Sequence, residues 1–495
     1  MSTRRILFVG LDDKSIVNGI VKRYKPEEIF NIGRPSRKGE PNESEIIWND
    51  FKYKESPFKR DQLAPIDEKI LRLYANTERI FLRMADRLFI GSSYQKRKRF
   101  YHEQMMSCLY LIESFSPTLV IFGNLPHEGF SFLIYEIAKK NQIKTVFQYS
   151  LPVRPGKCYF KYTADDIEDH RSQIRSELEK LESMNLSEDE LLALIPYPVK
   201  YYLEEYKYKK EEVIRSFTRY EEYKKTISFF YLRKFIKLVK KIYSSVIRGT
   251  FFTALKRELI ERPDNFSKIV DPYFTPYKKL MVFYRRNQIA PNFEDPYIYF
   301  PLHFQPEAST SPLGRGFVDQ ELIIGLLSKA YLNTDVTIYV KEHPRPPKME
   351  GSTRTRDFYE KILSYPNVRL IDINANSIKL IENSLAVASV SGSAVLESII
   401  IGKHVFAFGE RIFNEAKNVH LIESYDDLLE ATKKVKSSPC SEKDLLTFFL
   451  ALSKCCFESL TGDTDILTSP KPNISWDQSH KNQLKSYINF IDNFS

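Results

Sequence analysis

Ser391-Gly392-Ser393 combines the residue types that bind phosphate, between a buried strand pattern and a helix pattern, and Glu397 follows four residues after Ser393. The N-terminus of a helix offers unpaired N–H groups and a partial positive charge, and small residues let a phosphate approach the backbone. A carboxylate one turn into that helix could accept a ribose hydroxyl. The same residues could instead form an ordinary helix cap, with Glu397 favouring the helix start.

A second polar motif, Lys341-Glu342-His343-Pro344, ends another predicted strand. Ligands of open α/β sheets bind at the carboxyl ends of the strands. Pro344 restrains His343 to an extended backbone, which would hold the imidazole in one direction. We expect Lys341, His343 and Pro344 to line a binding site where the histidine meets a phosphate oxygen or assists a leaving group. A surface histidine in a simple turn is the alternative.

A third motif follows the first strand of the second half of the chain. His303, Gln305 and Glu307 are hydrogen-bonding side chains close to two prolines, Pro301 and Pro306. Each polar loop taken alone could be a surface turn. Because all three motifs stand at strand exits of one predicted sheet, we expect them to converge on one ligand-binding site.

The first half of the chain offers His127 and Glu128 directly after a predicted strand at 118–123. Either side chain could act as base on an acceptor hydroxyl, and Glu128 could alternatively act as nucleophile in a double displacement. The structural alternative is a helix start with a glutamate in its first turn.

These residues must be positioned by alternating strands and helices. Apolar runs of strand length alternate with helical patterns, which predicts an α/β fold with two doubly wound, Rossmann-like sheets. In the first half, strands are predicted at 6–10, 87–93, 118–123 and 144–149, and helices at 66–86, 94–115 and 130–140. In the second half, strands are predicted at 297–301, 336–341, 368–371, 386–390 and 405–408, and helices at 318–331, 355–364, 376–383 and 393–401.

The patterns divide the chain into four parts. Residues 1–160 are expected to form an N-terminal Rossmann-like acceptor domain, and 161–290 a helical insertion and linker. Residues 291–470 are expected to form a C-terminal Rossmann-like donor domain. The tail at 471–495 is predicted to be helical and to pack back on the N-terminal domain.

Composition narrows the class of protein. The 495 residues carry a formal net charge of +10, which favours anionic partners. Five cysteines, an odd number without a C-x-x-C pair, indicate reduced thiols and hence the cytoplasm. The apolar run 6–10 is too short for a signal peptide, and no stretch of 18 apolar residues predicts a membrane span.

One basic stretch suggests contact with a membrane. Residues 224–248 contain eight Lys or Arg and no Asp or Glu, with apolar residues at helical spacing. A basic amphipathic helix can lie on an anionic bilayer, which would bring the protein to the inner face of the cytoplasmic membrane. Its apolar face could instead pack into the protein. No nucleic-acid-binding module is recognised, so nucleic acid is not expected as a partner.

Several of these motifs together resemble the bacterial capsule polysaccharide biosynthesis family, which includes transferases of 3-deoxy-manno-octulosonic acid (Kdo). The pairing of His-Pro with a Ser-rich turn is also similar to bacterial sialyltransferases, which use CMP-linked sugars. The match covers about residues 300–410. It is carried by Phe300–Glu307, Lys341–Pro344, Ser391–Ser393, Glu397 and Gly402-Lys403.

The resemblance implies a GT-B glycosyltransferase that needs neither a metal ion nor a cofactor. The donor would be a nucleotide-sugar, favoured as a CMP-linked acidic sugar such as Kdo, and the acceptor a glycan or lipid-linked glycan. His343, Ser391 and Ser393 would lie at the donor phosphate, and Glu397 near the nucleotide's sugar. Two alternatives stay open: a sugar-nucleotide epimerase of the same fold, and a non-catalytic factor of polysaccharide assembly or export.

Overall fold

The computed structural model describes most of the chain. The described residues are 5–33, 45–47, 56–85, 93–151, 158–197, 199–200, 203–204, 276–303, 307–343, 354–437, 440–460 and 474–493. The predicted basic helix at 224–248 and nearly all of the predicted strand at 87–93 lie outside them.

Strands and helices alternate along the described chain. The strands are β1 (Arg5–Val9), β2 (Glu28–Gly33), β3 (Glu45–Ile47), β4 (Leu119–Phe122), β5 (Lys144–Ser150), β6 (Cys158–Ala164), β7 (Gln288–Ile289), β8 (Tyr297–Pro301), β9 (Thr337–Lys341), β10 (Val368–Ile371), β11 (Ala386–Ser389), β12 (His404–Ala407), β13 (Val419–Leu421) and β14 (Phe457–Leu460). The helices are α1 (Lys14–Tyr24), α2 (Glu68–Leu73), α3 (Ala75–Met84), α4 (Tyr94–Phe115), α5 (Gly129–Lys140), α6 (Ile167–Ser183), α7 (Glu188–Leu194), α8 (Pro276–Asn287), α9 (Gln320–Ala330), α10 (Arg356–Leu363), α11 (Ser377–Asn383), α12 (Ser393–Ile401), α13 (Tyr425–Ser437), α14 (Glu442–Lys454) and α15 (Trp476–Asp492).

The first sheet has the strand order β14-β6-β5-β4-β1-β2-β3. Strands β1 to β5 are parallel, whereas β6 runs antiparallel to both β5 and β14. Strand β4 reads Leu-Val-Ile-Phe, and each of its residues is buried. Such continuous apolar runs are typical of parallel strands that are covered by helices on both faces.

The second sheet has the order β13-β12-β11-β8-β9-β10-β7 and is parallel throughout. Its five central strands and four helices agree with the predicted bounds to within two residues at each end. The short edge strands β7 and β13 are additions that the sequence patterns did not predict. Together the two sheets confirm the predicted fold class, α/β and GT-B-like with two Rossmann-like doubly wound units.

Each sheet has one point where the chain reverses its direction of winding. In the first sheet this point lies between β1 and β4, and in the second between β8 and β11. The crevice outside the carboxyl ends of those strand pairs is where ligands bind in open α/β sheets. The polar motifs after β8 and β11 therefore meet at the second crevice, and the motif after β4 lies at the first.

The end of the chain returns to the first sheet. Strand β14 pairs with β6, and α15 packs along α1, where its Leu484 abuts Gly19. Tyr487 of α15 is fully buried, and its hydroxyl donates to the Phe122 carbonyl at 2.8 Å. The last helix thus covers one face of the first sheet.

Three details differ from the predicted organisation. The chain rejoins the first sheet at β14, before residue 471, because Phe457–Leu460 supplies hydrogen bonds to the edge strand β6. Strand β6 itself crosses the predicted boundary at 160. The helix predicted at 66–86 is two helices, α2 and α3, which meet at Tyr74. No helix among the described residues is long and apolar enough to cross a bilayer.

Replacing Tyr487 by alanine should destabilise the protein by about 3–5 kcal/mol, because it empties a fully buried aromatic site and removes the bond to Phe122. Urea unfolding followed by tryptophan fluorescence or circular dichroism measures this loss. Trp476→Ala in the same helix is the matched control for circular dichroism, since Trp476 is 52% exposed and should change the free energy of unfolding by less than about 0.5 kcal/mol. Equal effects of the two variants would contradict the docking of α15.

Candidate functional site

His303 lies at the reversal point of the second sheet, directly after β8. Its backbone N–H donates to Gln320 Oε1 at 2.7 Å, and the residue is only 9% exposed. Its ring reaches across to β11, where the Val390 N–H donates to Nε2 at 3.2 Å and the Ser389 hydroxyl lies 3.0 Å from the same atom. The histidine therefore joins the exits of the two strands between which the sheet reverses.

Gly392 permits this contact. A Cβ at position 392 would lie 2.4 Å from His303 Cε1 and 3.0 Å from Nδ1, closer than real Cβ atoms approach. Gly392 is also the N-cap of α12, so the imidazole packs directly on the start of that helix. The absence of a side chain at Gly392 therefore makes room for the His303 ring, and a contact of Gly392 with a ligand stays a prediction.

The His303 ring is neutral over the working pH range of most proteins. Burial lowers its pKa to about 3, and the nearby charges of His343, Arg411 and Arg354 act in the same direction. Because Nε2 accepts the Val390 N–H, the proton of the neutral ring resides on Nδ1. His303 thus holds two loops together rather than acting as an acid or base through Nε2.

A buried ion pair fixes the loops after β8 and β9. Glu342 and Arg354 have side chains that are each 5% exposed, with Arg354 Nε 3.1 Å from Glu342 Oε2. The second oxygen of Glu342 accepts the His343 N–H at 2.8 Å, and Arg354 Nη2 donates to the His303 carbonyl at 3.0 Å. Glu342, which was not predicted as a site residue, therefore orients the backbone of both histidines.

Lys341 lies beneath the site. It is 4% exposed, and its ammonium donates to Ser377 Oγ at 2.7 Å at the start of α11. Burial lowers the pKa of Lys341 to about 8, while the carboxylates of Glu397 and Asp372 oppose that shift. Burial raises the pKa of Glu397, and a Ser393 hydrogen bond and the Lys341 charge oppose the rise. Lys341 and Glu397 therefore form a coupled pair at the starts of α11 and α12.

The hydroxyl of Ser391 makes a hydrogen bond within the protein. It is buried and donates to the Ser309 carbonyl at 2.5 Å. Since a hydroxyl has one O–H, that proton is used within the protein, and a contact of Ser391 with a phosphate stays a prediction. Ser393, the first residue of α12, is exposed, and so is Glu307. Gln305 and Pro344 lie outside the described residues.

His127 and Glu128 lie at the reversal point of the first sheet, both half-buried. His127 Nδ1 is 2.6 Å from the Leu125 carbonyl, so Nδ1 carries the proton and the lone pair of the neutral ring is on Nε2. Glu128 is the N-cap of α5, and the Ser131 hydroxyl accepts its N–H. A histidine with Nε2 as an acceptor has the right chemistry for a base.

Helix α3 connects this region with the second sheet. A Cβ on Gly129 would lie 3.0 Å from Phe81 of α3. The preceding Ile80 carbonyl accepts the Ser311 hydroxyl at 3.4 Å, and Arg83 pairs with Asp319 at 2.7 Å. The start of α5 therefore lies on the side of the first sheet that faces the loop after β8.

Several residues of the site were not found from the sequence. Gln320 and Ser389 hold His303, Arg354 and Tyr359 hold Glu342, and Arg411 crosses between the two sheets. All but Arg411 are largely buried polar side chains, and their contacts to Glu342 and His303 join residues that are 12 to 86 positions apart in the sequence. A sequence shows residue type but not such pairings. The weak cue was polar residues inside otherwise apolar elements, as with Gln320 at the start of α9.

The described residues contain no group of three or more His, Cys, Asp or Glu side chains placed to hold a metal ion. That observation covers the described ranges only. Metal-independent chemistry without a cofactor stays a prediction of the resemblance.

No protein-family model matches the sequence, and no curated protein matches it significantly. Among solved structures, the chain is similar to Methanocaldococcus jannaschii UDP-GlcNAc 2-epimerase in complex with UDP-GlcNAc and UDP, at 10% identity and a TM-score of 0.24, covering 88% of this chain and 93% of that chain. It is also similar to the β-Kdo 2,7-transferase of Thermosulfurimonas dismutans KpsC, at 15% identity and a TM-score of 0.25, covering 43% of this chain and 60% of that chain.

A third solved structure, UDP-GlcNAc 2-epimerase from Neisseria meningitidis bound to UDP-GlcNAc, shows 10% identity and a TM-score of 0.24 over 98% of this chain and 100% of that chain. Kdo transferases and sugar-nucleotide epimerases, the two enzyme classes raised by the sequence, thus both occur among these structures. Similarity at this level does not choose between them, and the function is proposed from the residues of the site.

The neutral His303 should make stability depend on pH. Its pKa is about 3 in the folded protein against 6.5 for an unperturbed histidine, so the unfolded chain binds more protons between these values. The stabilisation is present above about pH 6.5 and is lost as the pH falls toward 3. Replacing His303 by glutamine should flatten the fall in free energy of unfolding between pH 6.5 and 4 by up to about 1.4 kcal/mol per pH unit.

Urea unfolding at half-unit steps of pH measures both slopes. Glutamine keeps an acceptor for the Val390 N–H and does not titrate, so it is the matched variant. Parallel slopes for the wild type and His303→Gln would show that His303 is not held neutral.

Proposed function

We propose that this protein is a glycosyltransferase of capsule or surface polysaccharide biosynthesis, with a CMP-linked acidic sugar such as Kdo as the favoured donor. The acceptor would be a glycan or a lipid-linked glycan, which would bring the enzyme to the inner face of the cytoplasmic membrane. The donor would bind at the reversal point of the second sheet, and the acceptor at that of the first.

The observation that carries the proposal is the construction around the start of α12. The loops after β8, β9 and β11 are joined there by His303, which contacts Val390 and Ser389, and by Arg354, which contacts the His303 carbonyl. Binding sites are typically held in position by buried hydrogen bonds of this kind, which connect the loops that surround the ligand. The N–H groups at the start of α12 would supply donors for an anion bound between these loops.

The proposed roles of the individual side chains follow from their contacts and exposure. His343 has its N–H tied to Glu342 while its side chain is half-exposed, so it would meet the donor phosphate as sugar and phosphate separate. Ser393 and the N–H groups of α12 would neutralise the same charge. On the opposite side, Glu128 or His127 would take the proton of the acceptor hydroxyl.

Nucleotide binding is the first requirement of this proposal. We expect CMP to raise the midpoint of thermal unfolding, since a ligand at 100 times its dissociation constant stabilises by roughly 2.7 kcal/mol, and His343→Ala to remove most of that shift. A panel of CMP, CDP, UDP, GDP and ADP measures this by differential scanning fluorimetry. His480→Ala is a control histidine, since its ring pairs with Asp13 on the first domain.

The outcomes separate the candidate functions. A shift with a diphosphate in place of CMP would retain a nucleotide-sugar enzyme but reject the CMP-linked donor. Conversion of UDP-GlcNAc without any acceptor, followed by NMR, would identify the epimerase instead. If no nucleotide shifts the midpoint, the glycosyltransferase proposal is rejected in favour of a non-catalytic assembly factor.

Glu397 should distinguish ribose from deoxyribose. Its carboxylate lies near the buried Lys341 charge and within reach of Ser393, one turn into α12, where it would accept a ribose hydroxyl. We expect CMP to bind roughly tenfold or more tightly than 2′-deoxy-CMP, and Glu397→Gln to reduce that ratio toward one. Isothermal titration calorimetry with both nucleotides checks this, and an unchanged ratio in the variant would place the ribose elsewhere.

A further inference from the structure

We propose that Arg411 binds an anionic group of the donor from across the cleft between the two sheets. This inference rests on the proposed function, because it assigns a further ligand-binding residue to the same donor site. The group would be the donor's phosphate or the carboxylate of an acidic sugar, since a guanidinium recognises both in the same planar, two-bond geometry.

Arg411 stands where the two sheets meet. It follows β12 of the second sheet, and its Nη1 donates to the hydroxyl of Tyr149 at 2.8 Å, near the carboxyl end of β5 in the first sheet. Its guanidinium carbon is 5.2 Å from the centre of the Tyr149 ring. The side chain therefore reaches from the donor sheet to the acceptor sheet.

Its charge is not neutralised by the described part of the chain. Arg83 pairs with Asp319, Arg171 with Glu415, and Arg354 with Glu342. Arg411 has no carboxylate partner among the described residues, and its Nε–H is enclosed there without a hydrogen-bond partner. Arg411 is half-buried, and an enclosed donor without a partner is costly, so a ligand anion that accepts the Nε–H and pairs with the charge would remove that cost.

The surroundings of Arg411 belong to the candidate donor site. Its charge is close enough to His303 to help lower the pKa of that ring. Ser309, whose carbonyl is held by Ser391, is 9% exposed, and its enclosed hydroxyl has no partner in the described structure. A guanidinium, a hydroxyl and the start of α12 are three donors of the kind that bind phosphate or carboxylate oxygens.

The segment after Arg411 anchors it. Ile412 and Phe413 are each 1% exposed, and Glu415 ends the same short 3-10 helix. Glu415 accepts from Arg171 Nε at 2.6 Å and Arg175 Nη1 at 3.1 Å, both on α6 beside the first sheet. The guanidinium is therefore held in the cleft before a ligand arrives, which reduces the entropy lost on binding.

Arg411→Gln tests the assignment, with Arg315→Gln as the matched control. Both changes remove one positive charge, but Arg315 already pairs with Glu423 and with Glu410, the residue that precedes Arg411. Isothermal titration calorimetry would use cytidine, CMP and CMP-N-acetylneuraminate, a commercial CMP-linked acidic sugar. Circular dichroism and the urea midpoint of each variant establish that it is folded.

We expect Arg411→Gln to weaken ligand binding roughly tenfold to a hundredfold while cytidine binding is unchanged. A loss already seen with CMP identifies the phosphate as the bound group. A loss seen only with CMP-N-acetylneuraminate identifies the carboxylate. Arg315→Gln should bind all three ligands as the wild type does.

Two results would overturn the inference. Equal affinities of wild type and Arg411→Gln for both nucleotides would show that the guanidinium serves the domain contact alone. Equal losses in Arg411→Gln and Tyr149→Phe would show that the Tyr149 bond, and not the anion, accounts for the effect. If the wild type binds none of these ligands, the proposed function itself fails, which is a separate result.

Discussion

The geometry of the candidate site depends on one buried carboxylate. Glu342 accepts hydrogen bonds from the His343 N–H, Arg354 and Tyr359. Arg354 in turn donates a hydrogen bond to the His303 carbonyl. Removing one member of a buried ion pair leaves an uncompensated charge and costs about 3–5 kcal/mol. The backbones of both histidines are therefore coupled, because neither loop can move without disturbing the charge that Glu342 and Arg354 share.

A buried glutamate paired with arginine also stabilises the contact between the two sheets. Glu415 carries a side chain that is 8% exposed and lies between two arginines of α6. Because Glu415 lies in the short segment that begins with Arg411, the loop after β12 is connected to the second sheet and contacts α6 beside the first sheet. A change in the angle between the sheets would therefore displace Arg411 relative to His303, so the geometry of the candidate site depends on how the two sheets meet.

The sequence predicted the parts of this protein that local patterns encode. Apolar runs located the central strands of the second sheet, and the positions of polar motifs at their ends placed His303, His343 and Gly392 together. Pairings between distant residues left no such pattern. Strand β14 pairs with β6 across roughly 300 residues of sequence, and nothing local marks Glu342 as the partner of Arg354. No sequence pattern singled out Arg411, because a missing carboxylate partner is visible only in three dimensions.

The two histidines of the candidate site differ in how their side chains are held and exposed. The ring of His303 accepts the Val390 N–H and is buried against Gly392. Burial keeps the ring neutral by lowering its pKa, and Nε2 is already occupied by the hydrogen bond from Val390. His343 has the opposite arrangement: its backbone is fixed by Glu342, while its side chain is half-exposed. A histidine that stabilises the developing negative charge of a phosphate needs a backbone held in place and a ring that the ligand can reach. On these grounds we propose His343 as the catalytic histidine of this site, while His303 fixes the positions of the loops around it.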